Sequence, residues 1–270
     1  MLTALLGLVL CSTTSAQQDP PRAQPRPAEA KPGDAKPADA KPTEYVPYPG
    51  HDVPAAFGVS AREQGGRRAT IDGKKLTVML ESLESHARNY PPVFRDPDER
   101  KLAERDTAAA SKLLATILRD KTKDAAPGLL LLAGRVEAVA HNLDLPGAAE
   151  RADDYFGRIL QKDPEHALAN LRYGMHLAGR TGGQKDAVPL LEKAAKRGHD
   201  EALRGLGICW LILEDRPKAL ESLRAYAAKH PDDADTANLI TAIESGDTEK
   251  VGTKPEPREK SGGAPPEKKG

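Results

Sequence analysis

The 270 residues carry 40 Lys plus Arg against 40 Asp plus Glu, with 4% aromatic residues, 23 Pro and 23 Gly. A balance of zero supplies no global field toward nucleic acid or anionic lipid, so neither is expected as a partner. Pro and Gly gather at the two ends, which leaves about 71–245 to build a core, and the Ala and Leu that dominate there lose little side-chain freedom in a helix.

Residues 1–16 have the form of an export signal. The apolar run 2–10 is too short to span a bilayer, and Thr14-Ser15-Ala16 supplies small residues for cleavage. No basic residue precedes the run, which is a departure from the usual pattern. Cys11 follows Leu10 where a lipobox wants a small residue, so a lipid anchor at Cys11 is the weaker alternative. The expected location is the periplasm or cell envelope. Loss of the leader leaves Cys209 alone, and the fold must then hold without an intrachain disulfide.

Residues 17–70 read as a Pro/Ala/Lys-rich disordered tether. Lys31-Pro32, Lys36-Pro37 and Lys41-Pro42 repeat every fifth residue, and proline at that interval blocks helix and sheet. Tyr45-Val46-Pro47-Tyr48-Pro49 reads as the sticky end of the tether rather than a recognition motif. Residues 51–70 show no period and read as irregular.

A helical pattern follows. Leu76, Met79, Leu80 and Leu83 recur at three and four residues and stop before Tyr90-Pro91-Pro92. Residues 98–119 place Leu102, Ala109, Leu113, Leu114, Ile117 and Leu118 on one face, and Pro127 opens a third helix. Residues 71–132 are therefore assigned to a degenerate helical pair with a Pro-rich loop. Asp186 and Asp215, each followed by proline, read as helix N-caps. Residues 234–245, with Leu239, Ile240 and Ile243, read as a capping helix, and 246–270 as a disordered tail.

Between them lies internal similarity. Ala152, Phe156, Ile159 and Pro164 have the spacing of Ala219, Leu223, Tyr226 and Pro231; Leu206-Gly207 with Trp210 precedes the second set. Tyr173-Gly174 and Leu177 pair with Ala187, Leu191 and Ala194, with one extra residue in the turn at Arg180-Thr181-Gly182-Gly183. These three units, over 133–233, resemble the tetratricopeptide repeat. The early Trp of that family is replaced by Val136, Asn170 and Leu203, and Tyr226 stands where a small residue is usual. The resemblance implies an all-α solenoid of helical hairpins, eight or nine helices over about 74–245, with disordered ends. Gly174 and Gly207 would let the two helices of a unit approach closely.

Catalytic and metal chemistry find little support. The seven His are scattered without a metal-ligand spacing, no nucleophile elbow or phosphate loop is present, and the paired Asp residues read as solvated charge. No cofactor is expected and no enzyme activity. The resemblance implies instead that the first helix of each unit lines a protein-binding groove. Glu137 and His141, then Leu168, Leu171 and Met175, then Arg204, Ile208 and Leu211 would face a partner segment. With Arg204 as the one expected cation, the groove reads as apolar in the middle, suited to an apolar segment rather than a terminal carboxylate. Two alternatives stay open: the flanking helices cover this stripe, or the chain is a structural subunit of an envelope assembly or secretion complex that uses its convex faces.

Overall fold

The computed structural model describes residues 45–61, 67–119 and 124–246. The predicted leader, the Lys-Pro beat and the C-terminal tail lie outside the described residues. A 3-10 turn, Val53–Ala56, leads into an antiparallel pair, β1 (Phe57–Ala61) and β2 (Arg67–Ile71), in which Phe57 faces Ile71. Nine helices follow among the described residues: α1 (Gly73–Ala87), α2 (Pro97–Leu118), α3 (Pro127–Asn142), α4 (Ala148–Lys162), α5 (Ala167–Ala178), α6 (Gln184–Lys196), α7 (Glu201–Ile212), α8 (Arg216–Ala227) and α9 (Ala234–Ser245). No helix among the described residues is long and apolar enough to cross a membrane.

The chain is an all-α solenoid of tetratricopeptide-like hairpins. α3 packs on α4, α5 on α6 and α7 on α8, while α1, α3, α5 and α7 stack in order along one side. The repeat positions form the core. Ala152, Phe156, Ala187, Leu191, Ala194, Ala219 and Leu223 are all fully buried. Gly207 explains why the third hairpin closes so tightly. A Cβ there would lie 2.7 Å from Leu223 Cδ2 and 3.3 Å from the Ala219 carbonyl oxygen, so the helices touch where a side chain would stand. Buried Asn170, in place of the family's Trp, donates to the Pro164 and His166 carbonyls at 3.0 Å each and ties one unit to the next.

Local signals set the helix starts. Asp72 accepts from the Lys74 and Lys75 amides, Asp96 from Asp98 and Glu99, Asp215 from Lys218, and Asp233 from Thr236, each satisfying donors that a helix start leaves free. α6 differs from the expectation. Its N-cap is Gly183, not Asp186, which leaves Pro189 inside the helix. The Gln184 amide instead bonds back to the Ala178 and Arg180 carbonyls and secures the tight turn. α3 also starts earlier than the repeat frame implies and runs through the boundary drawn at 132/133.

The largest departure lies in 45–70, which the sequence placed in the tether. Tyr48, Val53 and Ala56 are buried with Leu76, Met79, Leu80 and Leu83 of α1 and with Ala103, Ala110 and Leu114 of α2. Both helices pack on the 3-10 turn, so this strap completes the core of the first pair. Two carboxylates of α2 hold it. Glu99 accepts from the Tyr45 hydroxyl at 2.7 Å and from the Tyr48 amide. Asp106 accepts from the Tyr48 hydroxyl at 3.0 Å and the His51 amide at 2.7 Å. Tyr48 is a core residue, not a linker end.

Candidate functional site

A cavity of about 530 Å³ runs across α1, α3, α5 and α7 to the start of α9. Its floor is partly apolar. Met175 of α5 reaches across to α7, where its sulfur stands 2.7 Å from the place a Gly205 Cβ would occupy, and Ile208 lies one turn further along. Phe156, stacked on Tyr173 with ring centres 5.5 Å apart, closes the wall beneath.

The rest of the lining is charged. Arg88, Arg135, Arg172 and Arg204 face the cavity, accompanied by Glu84, Glu201, Asp233 and Asp235. Arg135 grips buried Glu84 with two hydrogen bonds of 2.9 and 2.7 Å, the bidentate geometry that suits a guanidinium to a carboxylate. Arg88 approaches the same Glu84 at 3.8 Å. Arg204 donates to Thr236 Oγ1 at 3.1 Å and lies 3.9 Å from Asp233. Arg172 is held more loosely, 3.5 Å from Glu201. Burial lowers the Arg172 guanidinium below its ordinary value, with Arg135 and Arg88 adding like charge and Glu84 and Glu201 opposing them. For Asp233 burial works in the raising direction, but the Thr236 amide and hydroxyl and nearby Arg204 outweigh it and hold the carboxyl low.

The predicted groove residues divide among several places. Met175, Arg204 and Ile208 line the cavity. Leu171 and Leu211 are buried in the cores between helices, and Leu168 is exposed away from the cavity. Glu137 is 1% exposed and turns inward, where it accepts from Ser111 Oγ at 2.7 Å and pairs with Arg151 at 2.9 Å. His141 is buried edge-on against His176, ring centres 5.4 Å apart. The cavity-facing residues of α3 are Arg135, Ala138, Val139 and Asn142, one residue on from the predicted set. One residue turns a helix by about 100°, enough to exchange inner and outer faces. The cause is local. Gly134 takes the close approach, with Phe156 Cε1 2.6 Å from where its Cβ would be, and this rotation puts Glu137 inside and Arg135 outside. The rotation brings Arg135 to the cavity, and Arg88 after α1 and Arg172 of α5 join it there, so the groove is not the one-arginine surface expected.

Elsewhere, Cys209 is buried, and burial alone pushes its thiol up to about 12, which leaves no thiolate for chemistry near neutrality. Among the described residues no three His, Cys, Asp or Glu side chains are grouped to hold a metal.

No family model and no curated protein matches the chain. Two solved structures resemble it. A MamA mutant is 19% identical, with a TM-score of 0.43 over 67% of this chain and 93% of that one. TTC0263, a thermophilic TPR protein of Thermus thermophilus, is 16% identical, also at 0.43, over 64% of this chain and 92% of that one.

Proposed function

We propose that this chain is a non-catalytic interaction module of the cell envelope that holds a segment of a partner protein against its concave face. The single observation that carries the reading is the continuous cavity across the stacked first helices, with Met175 and Ile208 exposed to it between charged side chains. Apolar side chains left accessible in a cavity flanked by polar groups are what polypeptide recognition uses. The export signal read at 1–16 supports the envelope location.

The test replaces both apolar contacts. Met175→Glu with Ile208→Glu sets two unpaired charges against an apolar side chain of the ligand and removes burial of roughly 3–6 kcal/mol. Capture of the partner from envelope extract is expected to weaken at least about a hundredfold, with helicity by circular dichroism unchanged. Undiminished capture by a folded double variant would move recognition to the convex faces, as in a structural subunit of an envelope assembly.

A further inference from the structure

The charges of the groove are not mixed evenly along it. At the α1–α5 end, Arg88, Arg135 and Arg172 stand against one carboxylate, Glu84. At the α7–α9 end, Glu201, Asp233 and Asp235 stand against one guanidinium, Arg204. Met175 of α5 and Ile208 of α7 line the cavity on the two helices where these groups meet. The face is therefore electrically polar along its length, with an excess of positive charge on its early helices and of negative charge on its late ones. Glu84 is already committed to Arg135 at both oxygens, whereas among the described residues Arg172 has the longer 3.5 Å contact to half-exposed Glu201. Arg172 lines the cavity with its side chain at 22% exposure, and its guanidinium has more donors than that one contact uses. Asp235, in the first turn of α9, is exposed and makes no ion pair among the described residues.

We infer that the groove takes a polypeptide segment that is itself polar in the opposite sense: acidic where it crosses α3 and α5, apolar over Met175 and Ile208, and basic where it reaches α9. Neighbouring helices stand about 8–10 Å apart, so crossing from α3 to α9 requires roughly 25–30 Å, or about nine residues in extended form. This refines the apolar partner considered above by fixing which charges bracket the apolar stretch. A segment of one sign gains at one end and is repelled at the other, which gives the groove selectivity and a direction of docking. The inference rests on the reading of the concave face as the binding surface.

Synthetic peptides with the full-length chain test it. Three share one alanine-leucine centre: one has glutamates at one end and lysines at the other, one has glutamates at both, and one has lysines at both. The mixed peptide is expected to bind at least about tenfold more tightly than either single-sign peptide, with the difference shrinking as salt rises. Arg172→Glu should turn the preference toward the all-lysine peptide and exposed Asp235→Lys toward the all-glutamate one, with circular dichroism checking that the partly buried Arg172 variant, which also releases Glu201, remains folded. Equal affinity for all three peptides, tightest binding of a single-sign peptide, or no binding of any would overturn the inference. In the last case, an envelope partner still lost on Met175→Glu with Ile208→Glu would leave the groove reading intact, while a partner retained by that variant would remove both.

Discussion

Gly207 and Gly157 show how much the same residue type changes meaning with place. Gly157, in α4, has nothing within 4 Å of where a Cβ would stand, while Gly207 has Leu223 and the Ala219 carbonyl there. Gly157→Ala should therefore stabilise the fold by about 0.5–1 kcal/mol by reducing backbone freedom in the unfolded chain. Gly207→Leu should destabilise it by about 3 kcal/mol or more, because Leu223 cannot withdraw from a filled hairpin and the backbone of α8 must move. Thermal unfolding of the two variants checks both, and a Gly207→Leu melting temperature equal to that of the parent would mean that the hairpin is not closed at that point. The glycine at 207 was legible from the repeat spacing. The one at 134 was not, because the repeat frame puts it at a groove-lining position rather than at the close approach, and its contact with Phe156 is known only from the packing.

At the scale of the element, the strap 45–56 depends on ionisation through the two carboxylates, Glu99 and Asp106, that hold it. Burial tends to raise Glu99, but the Tyr45 hydroxyl and the amides of Tyr48 and Arg95 more than compensate, so its carboxyl lies below the ordinary 4.5. A carboxylate lowered by folding contributes stability above its unfolded value, and that contribution is lost as pH falls through the folded value. The strap should accordingly hold above the ordinary carboxylate value and loosen as pH falls through the lowered value of Glu99, with amide exchange at Tyr48 rising before exchange in α5–α8. Glu99→Gln should loosen it at neutral pH and remove that acid step. A Tyr48 amide that stays protected at low pH as long as α7 does would show that the apolar contacts of Tyr48, Val53 and Ala56 hold the strap without Glu99. The sequence displayed this element as a Pro-rich linker, since prolines 47, 49 and 54 hide the two buried residues that alternate with them.

Across the whole molecule the core among the described residues divides into three clusters, one over the strap and α1–α4 with Ala169 of α5, one over α5–α7 and a small one that includes Leu211, Ala219, Leu223 and Ile243. Such an array gains stability from neighbour to neighbour, and its last hairpin depends on whatever covers it. α9 is that cover: Ile243 is 3% exposed, and Thr236 binds Arg204 of α7. Removing residues 234–270 should expose the α7–α8 face, lower the melting temperature and promote self-association, visible by light scattering. An unchanged melting temperature and a monodisperse truncated protein would assign the cap a purely recognition role.

What the sequence determined by itself is the periodic part. The all-α class, the three hairpins at 133–233, the capping helix at Ala234–Ser245 and the small residues at close approach follow from three- and four-residue spacing and a recurring unit, because those patterns are local and repeat. What only the tertiary structure decided is rotation and long-range closure. The facing of α3 is set by Gly134 against Phe156 and by the buried Glu137–Arg151 pair, contacts with α4 that no spacing rule encodes. The strap is set by Glu99 and Asp106, some fifty residues from the groups they bind. The charge polarity of the groove follows from both causes at once. Arg88, Arg135, Arg172 and Arg204 are irregularly spaced along the chain, and only the stacking of successive helices brings them onto one face.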